Sequence, residues 1–223
     1  MKSSSMGKGI LCAVLAYVLW GILPVYWKLL SFASAWHILA LRILFSLFFV
    51  GALLLSTKNT NWLTLFRDRK KCGLAILSGL VITFNWGLYI WAINAGHTIE
   101  SSLGYYINPL VSILMGLIFF KEKLGRLQWA AFGLACIGVS IITILSGRFP
   151  WISIGLALSF GFYGLLKKKL ACSSLESLGA ETLAAAPIGI ALLVFPIGGL
   201  GDLGGLSIPA WLGLISCGIV TAL

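Results

Sequence analysis

Acidic side chains are almost absent from this chain, which has six Asp and Glu among 223 residues and 10% charged residues in all. No paired carboxylates, Ser-His-Asp set, phosphate-binding glycine-lysine loop or metal-ligand spacing occurs in the sequence. The five cysteines include no C-x-x-C motif, which argues against a disulfide framework or a zinc site. The sequence therefore predicts neither an enzyme nor a bound cofactor or metal.

Apolar residues dominate what is present, with 60% hydrophobic residues and a mean hydropathy of +1.03. So little polar surface excludes a soluble domain, and about 20 apolar residues suffice to cross a bilayer as a helix. We expect an all-α membrane protein, a polytopic helical bundle of about seven complete spans plus a truncated eighth that begins near Ala210. The seven runs are Gly9–Trp27, His37–Ser56, Cys72–Gly96, Ser101–Phe120, Leu127–Gly147, Phe149–Leu166 and Thr182–Gly201.

The basic residues lie mainly on one side of the predicted membrane. Counted at the ends of alternate spans, thirteen Lys and Arg fall on one side, and only Lys28 and Arg148 fall on the other. Cytoplasmic loops carry such an excess, so we expect a cytoplasmic N-terminus. The net charge of +10 is then a topology signal and not a nucleic-acid surface.

Two weak internal similarities indicate a repeat. Leu15–Gly21 aligns with Leu158–Gly164, and Leu74–Ile82 aligns with Gly213–Thr221, at nearly equal offsets. A five-span unit crosses the membrane an odd number of times, so its second copy is inverted, as in many secondary transporters. We expect a first repeat over 9–147 and an incomplete second repeat over 149–223.

Polar and aromatic side chains form stripes within the apolar runs. Amides in hydrocarbon cost free energy unless they face a partner or a cavity, and Pro24 and Pro109 each remove a helical hydrogen bond. The alternative is ordinary kinks and interhelical amide bonds. The candidates for a substrate cavity are Tyr17, Trp20, Arg42, Asn85, Trp91, Asn94, Tyr105, Asn108 and Tyr163.

Arg42 is the only charge inside an otherwise apolar span, about 8 Å beyond His37 at 1.5 Å per residue. An intramembrane cation is a functional candidate, although Arg42 could instead pair structurally with Glu100 or the amides. Glu100 is the candidate for coupling transport to protons; otherwise the carrier is a facilitator or exchanger, or its coupling residue lies in the missing part of the protein. The titratable groups near the spans all fall at predicted membrane edges, and they are Glu100, Glu181, His37 and His97.

Four segments resemble the EamA group of the drug/metabolite transporter superfamily: YVLWGILPVYWKL, NWGLYIWAIN, ESSLGYYINPLVSILMG and KEKLGRLQW. The resemblance implies a ten-span inner-membrane carrier of two inverted five-helix repeats, with both termini cytoplasmic, in a group that exports amino acids, nucleotides, sugars or drugs. The family usually has Gly where Lys121 precedes Glu122, and often a His where Leu41 precedes Arg42.

The leading prediction is an exporter of small metabolites or drugs that works by alternating access around a mid-membrane aromatic and amide cavity. The alternatives are a truncated, non-functional remnant and a membrane-embedded enzyme acting on lipid-linked substrates. The expected partners are the lipid bilayer, a small-molecule substrate and, as a further option, a second copy of the chain, with no nucleic acid.

Overall fold

A computed structural model describes residues 2–147, 149–195 and 205–222, without the side chains of several residues between 2 and 17 and of Ser146. The described residues form α-helices and contain no strand. The helices are α1 (Lys2–Leu29), α2 (Ala35–Ser56), α3 (Asn61–Thr64), α4 (Arg69–Asn94), α5 (Thr98–Phe120), α6 (Arg126–Ser146), α7 (Trp151–Leu170), α8 (Ser174–Val194) and α9 (Ile208–Ala222).

Polar caps at three loops start the helices that form the bundle. The Ser34 hydroxyl accepts from the His37 amide at 3.3 Å, and the Asp68 carboxylate accepts from the Lys70 amide at 2.8 Å. Ser173 and Glu176 form a reciprocal capping box at the start of α8. Each cap satisfies backbone N–H groups that have no partner within the first helical turn.

Five described helices are long and apolar enough to cross a membrane, namely α2, α4, α5, α6 and α8. Shorter apolar segments occupy Val18–Leu29 and Ile208–Ala222. The protein is thus a helical membrane protein, as the composition predicts. Helices α1 and α5 continue through Pro24 and Pro109.

The predicted start of the seventh run is wrong. The helix begins at Ser174, eight positions before Thr182, because the Ser173–Glu176 capping box starts it within polar sequence. Glu181 consequently lies inside α8 and is fully buried, not at a membrane edge. His37, expected at a membrane edge, lies in the first turn of α2, and its side chain is only 1% exposed.

Helices α2, α4 and α7 form the centre of the bundle. Helix α4 packs against α2, α7 and α8, while α2 packs against α8 and α9 and α5 packs against α7. A cluster that includes Trp27, Ile43, Ile90, Ile152 and Leu214 fills the space between them. Helix α6 contacts α5, and its apolar membrane-spanning segment contains no buried residue, so its apolar side chains are available to lipid.

Glycine allows two pairs of helices to approach closely. A Cβ atom at Gly79 of α4 would lie 2.7 Å from the Glu181 backbone oxygen in α8. A Cβ atom at Gly218 of α9 would lie 2.5 Å from the Phe45 backbone oxygen in α2. Backbone cannot move aside as a flexible side chain can, so both positions need a residue without a side chain.

We predict that Gly79→Ala destabilises the protein by about 1–3 kcal/mol, the usual cost of overfilling a well-packed contact. Gly73→Ala on the same helix is the matched control, because a Cβ atom there meets nothing within 4 Å. Thermal unfolding in detergent, followed by tryptophan fluorescence, measures both variants. Equal melting temperatures for the two variants would contradict the close approach of α4 and α8.

Candidate functional site

A cavity of about 310 Å³ lies where seven helices meet. Its wall combines aromatic rings with one arginine, one lysine and one asparagine side chain. The residues that line it are Trp20, Leu23 and Trp27 from α1, Arg42 from α2, Ile82, Asn85, Trp86 and Tyr89 from α4, Tyr105 from α5, Phe160, Tyr163 and Lys167 from α7, Ser174 and Leu178 from α8, and Val220, Thr221 and Ala222 from α9.

Arg42 is the buried cation of this cavity, with its side chain 7% exposed. Its guanidinium carbon lies 4.8 Å from the ring centroid of Trp27 and 4.2 Å from that of Trp86. Its Nε donates to the Thr221 hydroxyl at 2.9 Å. Among the described residues no carboxylate pairs with it. The aromatic rings therefore hold a cation without neutralising its charge.

Aromatic side chains from α1, α4, α5 and α7 form a continuous wall of the cavity. The ring centroids of Trp20 and Tyr105 are 6.1 Å apart, and those of Trp20 and Phe160 are 5.7 Å apart in an edge-to-face arrangement. Tyr105 also meets Tyr89 edge to face at 5.4 Å. Ring pairs prefer such offset and edge-to-face arrangements, and together these rings offer an apolar surface to a flat or apolar solute.

A second buried charge, Glu181, adjoins the cavity through α7. Its carboxylate accepts from the Ser78 hydroxyl at 2.7 Å and the Tyr163 hydroxyl at 2.9 Å. The Lys167 ammonium lies 3.7 Å from the same carboxylate and 5.3 Å from the Tyr163 ring centroid. Tyr163 and Lys167 thus contact both Glu181 and the cavity, and the cluster joins α4, α7 and α8.

A smaller pocket of about 20 Å³, the space of about one water molecule, lies beside the main cavity between α4, α5 and α7. Asn85 borders both and donates its amide to the Leu156 carbonyl at 2.9 Å and to the Ser159 hydroxyl at 2.8 Å. The Asn108 side-chain oxygen is buried without a hydrogen-bond donor among the described residues. Asn85 therefore makes the interhelical amide bond that the sequence left as an alternative.

The structure brings together five of the nine residues predicted for the cavity: Trp20, Arg42, Asn85, Tyr105 and Tyr163. The sixth, Asn108, lines the small pocket. Trp91 lines a separate apolar groove with Trp151, and Asn94 buries its side-chain oxygen without a described donor. The side chain of Tyr17 lies outside the described residues. The functional role of all nine stays a prediction.

Sequence reasoning missed the rings that hold Arg42 and the cluster around Glu181. Trp27 could have been found because it lies seven positions after Trp20, two helical turns along one face. Glu181 could have been found by starting the helix at the Ser173 cap. The candidate coupling residue, Glu100, lies outside the cavity, and its carboxylate is 3.3 Å from the His97 ring nitrogen.

The described helices thus form an apolar bundle around a partly open cavity that is lined by aromatic and polar side chains. The model of the EamA-like transporter family matches residues 7–144. The chain belongs to this family, within the drug/metabolite transporter superfamily, and is a multi-pass membrane protein of a bacterial type.

Several curated relatives align over most of the chain. It is 49% identical to Protein RarD of Streptomyces exfoliatus over 175 residues, which cover 78% of this chain and 56% of that protein. It is 40% identical to the uncharacterized transporter YojE of Bacillus subtilis over 227 residues, covering 100% of this chain and 76% of the relative. Protein RarD of Escherichia coli is 40% identical over 198 residues, covering 88% and 67%. The chain thus spans little more than half the length of the Streptomyces relative.

We predict that Lys167→Met destabilises the protein by about 1–3 kcal/mol, because it leaves a buried carboxylate without its charged partner. Lys168→Met is the matched control, since Lys168 pairs with Glu122 where both side chains are more than half exposed. Such surface pairs contribute about 0–1 kcal/mol. Denaturation in detergent micelles measures both.

The double variant Lys167→Met/Glu181→Gln tests the pairing itself. It should recover part of the stability lost in Lys167→Met, because an amide needs no counter-charge. Additive losses in the double variant would show that the two side chains do not interact.

Proposed function

We propose that the chain forms the substrate-binding part of a carrier that exports small metabolites or drugs by alternating access. The observation that supports this most directly is the cavity between seven helices, which is lined by Arg42 and an aromatic wall. A structural membrane protein has no need of a buried cation and partnerless polar atoms, which cost stability in a bilayer. A solute that binds there can compensate that cost.

The two close helix contacts support the inverted repeat on which alternating access would depend. Gly79 and Gly218 align in the internal similarity, 139 positions apart. Each brings its own helix, α4 or α9, against the backbone of another, α8 or α2. In the proposed repeat α2 is equivalent to α8, and α4 is equivalent to α9. Exchanging the two repeats then converts the contact of α4 with α8 into the contact of α9 with α2. This is the relation expected of a twofold axis in the membrane plane.

We further propose that residues 9–147 form one repeat and 149–223 part of the second, within a ten-span carrier. The thirteen-to-two distribution of basic residues supports a cytoplasmic N-terminus. The relatives are bacterial proteins, and we propose the bacterial inner membrane as the location. The partners in this proposal are the lipid bilayer and the carried solute, with a second copy of the chain as a further option.

Substitution of the aromatic wall tests the proposed cavity. Comparing growth with and without the gene on candidate toxic metabolites identifies a carried solute, whose flux is then measured in proteoliposomes. Trp20→Ala should weaken its apparent affinity about tenfold, the effect of losing roughly 1.4 kcal/mol of ring contact. Asn108→Leu should also lower flux, because it replaces the buried amide beside Tyr105.

Trp129→Ala is the matched control, since this ring lies on α6, is half exposed and contacts Phe132 away from the cavity. Its flux should equal that of the unmodified protein. Normal flux in both Trp20→Ala and Asn108→Leu would remove the assignment of the cavity as the substrate site.

We also propose Glu100 as the group that couples transport to protons. Its carboxylate is partly exposed and lies beside the His97 ring. Its backbone carbonyl accepts a hydrogen bond from the Ser153 hydroxyl of α7. Glu100→Gln should make flux independent of an imposed pH gradient while leaving exchange of solute intact. If the pH gradient drives Glu100→Gln as well as the unmodified protein, Glu100 has no part in coupling.

A further inference from the structure

Arg42 is a buried cation whose counter-charge is not supplied by the described protein. Five of the six acidic residues lie in the described part, and each has another partner. Only Asp202 falls outside that part. Asp68 caps α4, Glu100 meets His97, Glu122 pairs with Lys168, Glu176 accepts from Asn59 and Ser173, and Glu181 is held by Lys167, Ser78 and Tyr163.

The charge balance inside the cavity follows from these contacts. Lys167 and Glu181 neutralise each other, because 3.7 Å separates the ammonium from the carboxylate. Arg42 then leaves one uncompensated positive charge among the described lining residues. A single negative charge on the solute would balance it, whereas a dianion such as a phosphate monoester would leave the cavity negative.

The hydrogen-bonding geometry of Arg42 fits an oxyanion. A guanidinium has five N–H donors in one plane, and the described residues take one of them through the Thr221 hydroxyl. Contacts with the Trp27 and Trp86 rings hold the group without using an N–H donor. The remaining donors match the two oxygens of a carboxylate, which arginine binds in a bidentate fashion.

The rest of the cavity limits the body of the solute. Trp20, Tyr105 and Phe160 offer ring faces and edges rather than charged groups, and the volume is about 310 Å³. We infer, building on the proposed carrier function, that the transported solute is a small monocarboxylate with an apolar or aromatic body, whose carboxylate binds Arg42 and whose body packs on the aromatic wall.

Binding of two matched probes tests this inference on the purified protein in nanodiscs. Phenylacetate and phenylacetamide have nearly the same size and differ in charge, so isothermal titration calorimetry compares them directly. The unmodified protein should bind phenylacetate at least about tenfold more tightly, as a charge-assisted bidentate contact allows. Arg42→Gln should remove this preference, and Arg67→Gln, an exposed arginine outside the cavity, should keep it.

The variant Arg42→Lys distinguishes loss of the planar guanidinium donors from loss of folding. It retains the cation but not the planar pair of donors, so it should keep a reduced preference for phenylacetate while eluting as the unmodified protein does in gel filtration. A structural role for Arg42 would instead change the affinities of both probes alike in the two variants.

The remaining outcomes distinguish this inference from the carrier function. Equal binding of the two probes by the unmodified protein, or tighter binding of the amide, overturns the monocarboxylate inference and leaves the cavity standing. A solute identified by growth and flux that is uncharged or cationic overturns it too, with the carrier confirmed. If neither probe binds and no solute flux is found, both proposals fail.

Discussion

Two charged side chains buried among apolar helices, Arg42 and Glu181, constrain the arrangement of the bundle. A charge in the bilayer interior costs about 2.5–3.5 kcal/mol unless the protein supplies partners, so helices must be placed to provide them. For Glu181 the partners come from α4 and α7 through Ser78, Tyr163 and Lys167. For Arg42 they are Trp27, Trp86 and the Thr221 hydroxyl, with no carboxylate among the described residues.

The positions of these two charges follow the proposed inverted repeat. Arg42 and Glu181 are 139 positions apart, the same separation as Gly79 and Gly218. Each lies seven residues after the first residue of its helix, about 10 Å along the axis at 1.5 Å per residue. In the proposed topology α2 and α8 enter from opposite faces, so the cation and the acid lie equally far from opposite faces of the membrane. The two repeats would then share one backbone arrangement but carry opposite charges at this equivalent position.

Much of the helical architecture could be predicted from composition, because long uncharged runs in a bilayer have few alternatives to helix. The start of α8 could not be predicted from the apolar run alone, because the Ser173–Glu176 cap begins that helix within polar sequence. Side-chain placement was harder still. Tyr89 and Trp91 lie two positions apart on α4, and only the neighbouring helices decide that Tyr89 faces the cavity and Trp91 the apolar groove.

Helix α7 connects the Glu181 cluster to the cavity, and this limits how the bundle can move. Separating α7 from α8 would break the bonds of Tyr163 and Lys167 to Glu181, whereas α4 with α8 and α2 with α9 are held by backbone contacts at glycine. Polar side-chain contacts can exchange partners during a motion, whereas separating two closely packed backbones loses their contacts without replacement. If the carrier alternates, the movement should therefore occur at the contact between α7 and α8, where Tyr163 and Lys167 also line the cavity.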